Sequence, residues 1–94
     1  MAYEVRFSDR AMSKLKSLRA FERAAVMDRI RTTLTSTPTV TGKSRIKLLR
    51  QPAPTQYRLR VDDFRVFYNV EGEVVDVIEV LSKAESLEYL GEET

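Results

Sequence analysis

Apolar and polar residues alternate at the start of the chain, with Tyr3, Val5 and Phe7 around Glu4 and Arg6, and this period of two predicts a short half-buried strand. From Ser8 the period changes. Ser8 is a good N-cap for a helix starting near Asp9, and Ala11, Leu15 and Leu18 then share one face. After a break near Ala20, a second helix is predicted from about Phe21 to Thr35, with Val26, Ile30 and Leu34 inward and Met27 beside them. Together they form a helical hairpin. A helix-turn-helix DNA reader has little support, because the turn lacks glycine and both apolar stripes read as core. The stretch from Ser36 to Ser44 is a loop, with Pro38 ending the helix and Gly42 supplying a turn. Its Gly42-Lys43-Ser44 is no phosphate-binding P-loop, since the upstream glycine and the strand-to-helix context are missing.

The second half reads as strands. Arg45 to Arg50 alternates through Ile46 and Leu48 and is followed by a kink from Pro52 to Pro54. Tyr57 to Val70 then reads as two strands joined at Asp62-Asp63, which pairs Leu59 with Val66, Arg60 with Arg65 and Arg58 with Phe67. This register sorts the hairpin into an apolar face carrying Tyr57, Leu59, Val61, Phe64, Val66, Tyr68 and Val70, and a second face carrying Arg58, Arg60, Arg65, Phe67 and Asn69. A solvated sheet face ordinarily mixes charge signs. Three arginines here repel one another and call for an anionic partner. Glu71-Gly72 is expected as the next turn, Val74 to Leu81 as a central strand of undetermined register, and Lys83 to Leu90 as a short helix or tail that docks through Leu87 and Leu90.

The 94 residues make one domain spanning positions 1–94, with one modest core. No apolar run is long enough to span a bilayer, and the first residues lack a signal-peptide core. With no cysteine, a cytoplasmic location is expected. The net charge is only +2, but the middle of the chain is basic and the end acidic. Lys43, Arg45, Lys47 and Arg50, with the hairpin arginines, are the footprint of a phosphate-backbone binder. Histidine and cysteine are both absent, so zinc sites, thiol nucleophiles and imidazole acid-base chemistry are set aside. The dispersed carboxylates give no glycosidase pair or magnesium cage. No cofactor and no metal are expected; Arg, Lys and Tyr remain to carry any chemistry.

The order strand, two helices, basic loop, Tyr57-Arg58-Leu59-Arg60, Phe64 to Val70, Val74 to Val80 and then Lys83 to Leu90 resembles the RelE/ParE superfamily of type II toxin-antitoxin toxins. The resemblance covers nearly the whole chain. It implies an α+β fold: an N-terminal strand, a two-helix hairpin, then a mainly antiparallel sheet of four or five strands with the helices on one face and a short C-terminal helix or tail. RelE-type members are ribosome-dependent mRNA endonucleases, metal-independent, that cleave in the A site; ParE-type members inhibit DNA gyrase. The resemblance also implies mRNA on the ribosome as substrate, a RelB-like antitoxin from an adjacent gene, and a toxin-antitoxin hetero-oligomer.

By that resemblance, Arg58 and Arg60 match paired basic residues that are lysines in the best-known RelE pattern, and Arg65 matches a phosphate-contacting arginine. Lys83 stands where that pattern has a second arginine, and Tyr89 aligns with its C-terminal active-site tyrosine. These departures keep charge but change chemistry, because arginine holds its proton whereas lysine and tyrosine can exchange one. Lys83 or Tyr89 is therefore expected to replace the strand lysine as base, while Lys43, Arg45, Lys47 and Arg50 bind RNA. A ParE-like gyrase inhibitor or a silent homologue is the alternative.

Overall fold

A computed structural model describes residues 2–42 and 45–91. Strand β1 (Glu4–Phe7) leads into helix α1 (Asp9–Ser17) and helix α2 (Ala20–Arg29), which continues through a π-helical turn at Ile30–Leu34. Strands β2 (Ile46–Leu48), β3 (Tyr57–Val61), β4 (Phe64–Glu71) and β5 (Val74–Ser82) follow, and helix α3 (Lys83–Tyr89) closes the order. The five-stranded sheet runs β1-β5-β4-β3-β2, antiparallel except where β1 pairs parallel to β5. This is the expected α+β architecture.

The β3–β4 register is the predicted one at every pair, from Tyr57 with Tyr68 to Val61 with Phe64. Asp62 takes the positive φ, 51°, that the two-residue turn requires. The next turn differs from expectation by one residue. Glu71 pairs with Val74, so Gly72 and Glu73 form the turn, and Gly72 carries the positive φ of 60°. Glycine takes that backbone conformation without the penalty a side chain adds.

Strand β5 contains a bulge. Phe67 pairs with Glu79 but Tyr68 pairs with Val77, so Ile78 is an extra residue. The bulge lets Val75, Val77 and Val80 all face the core despite their unequal spacing. Ser8 satisfies the backbone there. Its N–H donates to the Val77 carbonyl at 2.9 Å, its hydroxyl donates to that of Ile78 at 2.6 Å, and its Oγ accepts from the Ala11 N–H at 3.0 Å. One residue thus ends β1, caps α1 and closes the bulge.

Ala11 and Leu15 of α1, and Val26, Ile30 and Leu34 along the second helix, pack with Leu59, Val66 and Tyr68 in one core. The helices therefore cover the predicted apolar face. Tyr68 is fully buried, stacks on Tyr57 with ring centroids 5.5 Å apart, and donates its hydroxyl to the Pro38 carbonyl at 2.6 Å. That bond anchors the start of the loop after the second helix. Among the described residues no helix is long and apolar enough to cross a membrane.

Candidate functional site

The second sheet face is a lattice of cations set by strand register. Lys47 pairs with Arg58, which pairs with Phe67, and Arg60 pairs with Arg65 one row away. The Arg60 N–H donates to the Arg45 carbonyl at 2.9 Å, which extends the second row onto the strand next door. On this face Arg58 and Arg65 are diagonal neighbours, a relation that places β-carbons roughly 7 Å apart and lets two long side chains reach one ligand.

Helix α3 lies across β4 and β5 on that face and makes one wall of a groove. Its first turn is held tightly. Ser82 Oγ accepts from the Glu85 N–H at 3.1 Å, Glu85 Oε1 accepts from the Ser82 N–H at 2.8 Å, and the Lys83 N–H donates to the Asp63 carbonyl at 2.8 Å. Lys14 adds a bond to Glu85 Oε1 at 2.8 Å, reaching over from α1. The Lys14 ammonium and the Ser82 N–H hold the Glu85 carboxyl down at about 2. The opposite wall is β2 and the loop after it, where Gln51 Nε2 donates to the Thr55 carbonyl at 3.2 Å and the Leu49 N–H donates to that of Gln56 at 2.8 Å.

Between these walls is a groove of 630 Å³. Lys47, Arg50, Arg58, Arg65 and Lys83 line it together with aliphatic residues from both walls, and no carboxylate is among the lining residues. The fold thus brings together Arg58, Arg65 and Lys83 from the catalytic expectation and Lys47 and Arg50 from the RNA-binding one. Arg60 and Arg45 are exposed on the same face but do not line the groove. Lys43 lies outside the described residues. Lys47 was the signal sequence reasoning undervalued. It reads there as one basic residue among several, and only its long-range pairing with Arg58 puts it at the site.

Arg65 has a second task. Its Nη1 donates to the carbonyls of Asp62 and Phe64, both at 3.0 Å, and so braces the hairpin turn. Burial lowers its pKa, repulsion from Arg60 adds to this, and Asp63 opposes both.

Tyr89 lies outside the groove lining. Its ring packs edge-on against the fully buried Phe67 with centroids 4.9 Å apart. Burial and then the Glu79 carboxylate raise its pKa, with Arg10 opposing, so the phenol keeps its proton to higher pH than free tyrosine. The expected docking through Leu87 and Leu90 also changes: Ser86 is the buried residue of α3, while Leu87 and Leu90 line the groove. The short helix buries its small residue, whose hydroxyl donates to the Lys83 carbonyl at 2.6 Å.

The family model for the ParE toxin of the type II toxin-antitoxin system parDE matches residues 5–87. The chain belongs to this toxin family. Among solved structures the toxin is similar to a chain of the RelBE2 toxin-antitoxin complex from Mycobacterium tuberculosis, at 24% identity and TM-score 0.76, over 87% of this chain and 99% of that one. A mutant of the E. coli toxin RelE in the free state is 26% identical with TM-score 0.71, over 98% of this chain and 94% of that one. A chain of the archaeal RelE-RelB complex from Pyrococcus horikoshii is 23% identical with TM-score 0.71, over 88% and 97%. No curated protein matches the toxin. It is thus a toxin of the RelE/ParE superfamily, with the RelE fold.

Proposed function

We propose that this toxin is an endoribonuclease that cuts mRNA in the ribosomal A site and so stops translation in the cytoplasm. The observation that carries the reading is the convergence of Lys47, Arg50, Arg58, Arg65 and Lys83 on one groove with no acid in its lining. Cleavage by the neighbouring 2′-hydroxyl needs charge neutralised at phosphorus, and fixed cations in a partly dehydrated groove supply that without rearranging. Arg58 and Arg65 form the floor that grips the scissile phosphate, with Arg60 on the rim. The reaction as proposed is carried by side chains. Among the described residues no cluster of three histidine, cysteine or carboxylate side chains could hold a metal ion.

A cognate RelB-like antitoxin restrains the toxin in a hetero-oligomer, by analogy with the RelE-RelB complexes of its structural relatives. Its acidic or amphipathic segment neutralises the basic face.

The test programs ribosomes with a defined mRNA and maps cuts by primer extension. Wild type cuts within the A-site codon, and Arg58→Ala slows the cut on the order of 10²-fold. The second reading is gyrase inhibition. It is favoured by the ParE description of the matching family and by the absence of lysine from β3. Unchanged mRNA together with blocked DNA supercoiling by gyrase selects it.

A further inference from the structure

Of the five cations in the groove, three are arginines and two are lysines. An arginine holds its proton at all physiological pH, whereas a lysine can act as either proton donor or acceptor when its surroundings tune it. The positions of these residues follow the same division. Lys47 stands on β2, the last strand of the sheet, and Lys83 is the first residue of α3, which covers β4 and β5. Arg58 on β3 and Arg65 on β4 lie between them. Transfer at phosphorus is in line, so the group that receives the 2′-hydroxyl proton and the group that protonates the departing oxygen must flank the phosphate from opposite sides. Two lysines across an arginine floor meet that requirement. Tyr89, set against Phe67 outside the groove lining, does not.

We propose that Lys47 and Lys83 are the acid-base pair of the RNA cleavage, one on each wall of the groove. The proposal rests on the endoribonuclease reading. The amine of one lysine takes the proton of the 2′-hydroxyl as its oxygen bonds to phosphorus. The P–O5′ bond breaks, and the ammonium of the other lysine gives its proton to O5′. A 2′,3′-cyclic phosphate and a 5′-hydroxyl result, with no further reactant consumed. The role of Tyr89 becomes one of support, holding α3 and therefore Lys83 in place.

The test compares Lys47→Ala, Lys83→Ala, Lys47→Arg and Lys83→Arg on programmed ribosomes. Both lysines are exposed, so the variants are expected to fold, which amide NMR spectra verify. Each alanine variant should cut about 10²–10⁴-fold more slowly, the usual contribution of a positioned acid or base. Arginine should restore little, since it keeps charge without releasing a proton. An mRNA whose scissile 5′-oxygen is replaced by sulfur has a leaving group that needs no acid. It should rescue one alanine variant and not the other, and the rescued residue is the acid. Wild-type rates in both arginine variants would reduce the lysines to fixed charge and overturn the pair. Rescue of both alanine variants, or of neither, overturns it as well. A wild-type protein that cuts no RNA removes the endoribonuclease reading and the pair with it, whereas a cutting wild type matched by both alanine variants removes the pair alone.

Discussion

The backbone N–H of Lys83 donates to the carbonyl of Asp63 at 2.8 Å, so the first residue of α3 is tied to the tip of the β3–β4 hairpin. The α3 wall of the groove is therefore referred to that turn. The turn is braced by Arg65 and the helix by the reciprocal bonds of Ser82 and Glu85. Replacing Ser82 with Ala should cost about 1 kcal/mol, the typical worth of an N-cap, and should raise hydrogen exchange in α3 more than in the sheet. Uniform loss of protection across the domain would show that α3 has no stability of its own to lose.

Acid should loosen the same helix. The Glu85 carboxyl is lowered from 4.5 to about 2, first by the Lys14 hydrogen bond and then by the Ser82 N–H. A depressed folded-state pKa contributes stability above the unfolded value and loses it as pH falls through the folded one, here between about 4.5 and about 2. Ring-current shifts from the Phe67–Tyr89 contact should collapse in that window, and in Lys14→Met the onset should move to higher pH. The Glu85 side chain is 47% exposed, so the effect on global unfolding is expected to be small.

Alkali should act on the core through Tyr68. Burial, with a smaller contribution from Tyr57, raises this phenol far above its ordinary value of 10.0. The folded state therefore favours the protonated form. Stability is complete below the unfolded pKa and falls as pH rises from there towards the folded pKa. Tyr68→Phe should flatten this alkaline slope in urea titrations while lowering stability near neutrality by about 1–3 kcal/mol, because the Pro38 carbonyl loses its donor. An unchanged slope would assign the alkaline transition to other groups.

The hairpin was legible because its side chains obey a strict alternation and its turn fixes the pairing, so Leu59 and Val66 fall on the helix side as the pattern requires. The register of β5 was not. Ile78 breaks the alternation by one residue, and the bulge that contains it depends on Ser8, some 70 positions earlier in the chain. The same limit applied to the site. Arg58 and Arg65 were readable from one local hairpin, but Lys47 enters through pairing between separate segments. Tyr89 could be placed near the end of α3, whereas the direction of its ring depends on Phe67 and Glu79 beneath. Turn composition pointed to Glu71-Gly72, and the pairing of Glu71 with Val74 moves the turn to Gly72-Glu73.

Arg65 and Arg60 are direct cross-strand partners with opposite expectations for stability. Arg65 is buried and bonded to two turn carbonyls, so Arg65→Ala should cost about 1.5–3 kcal/mol, in the range of hydrogen bonds to a charged group. Exposed Arg60 repels it, and Arg60→Ala should change stability by no more than about 0.5 kcal/mol. Denaturant midpoints measure both. The comparison matters for the mechanism, since any loss of cleavage in Arg65→Ala must first be corrected for the unfolded fraction.

Binding without cleavage isolates the groove. A single-stranded RNA with deoxyribose at the scissile position cannot supply the 2′-hydroxyl and should bind without being cut. Its affinity should fall with salt, because each neutralised phosphate of a single strand releases about 0.7 of a counterion and contributes that much to the slope of log K against log salt. Arg58→Ala should lower the slope by about 0.7 in magnitude if the guanidinium neutralises one phosphate. Arg19→Ala supplies the control, because Arg19 is an exposed cation at the corner between α1 and α2, away from the groove lining. A loss of slope confined to Arg58→Ala places the phosphate in the groove. Equal losses from the two substitutions would mean that the strand is held by overall positive charge, and the convergence of cations between β2 and α3 would then give the RNA no defined position for cleavage.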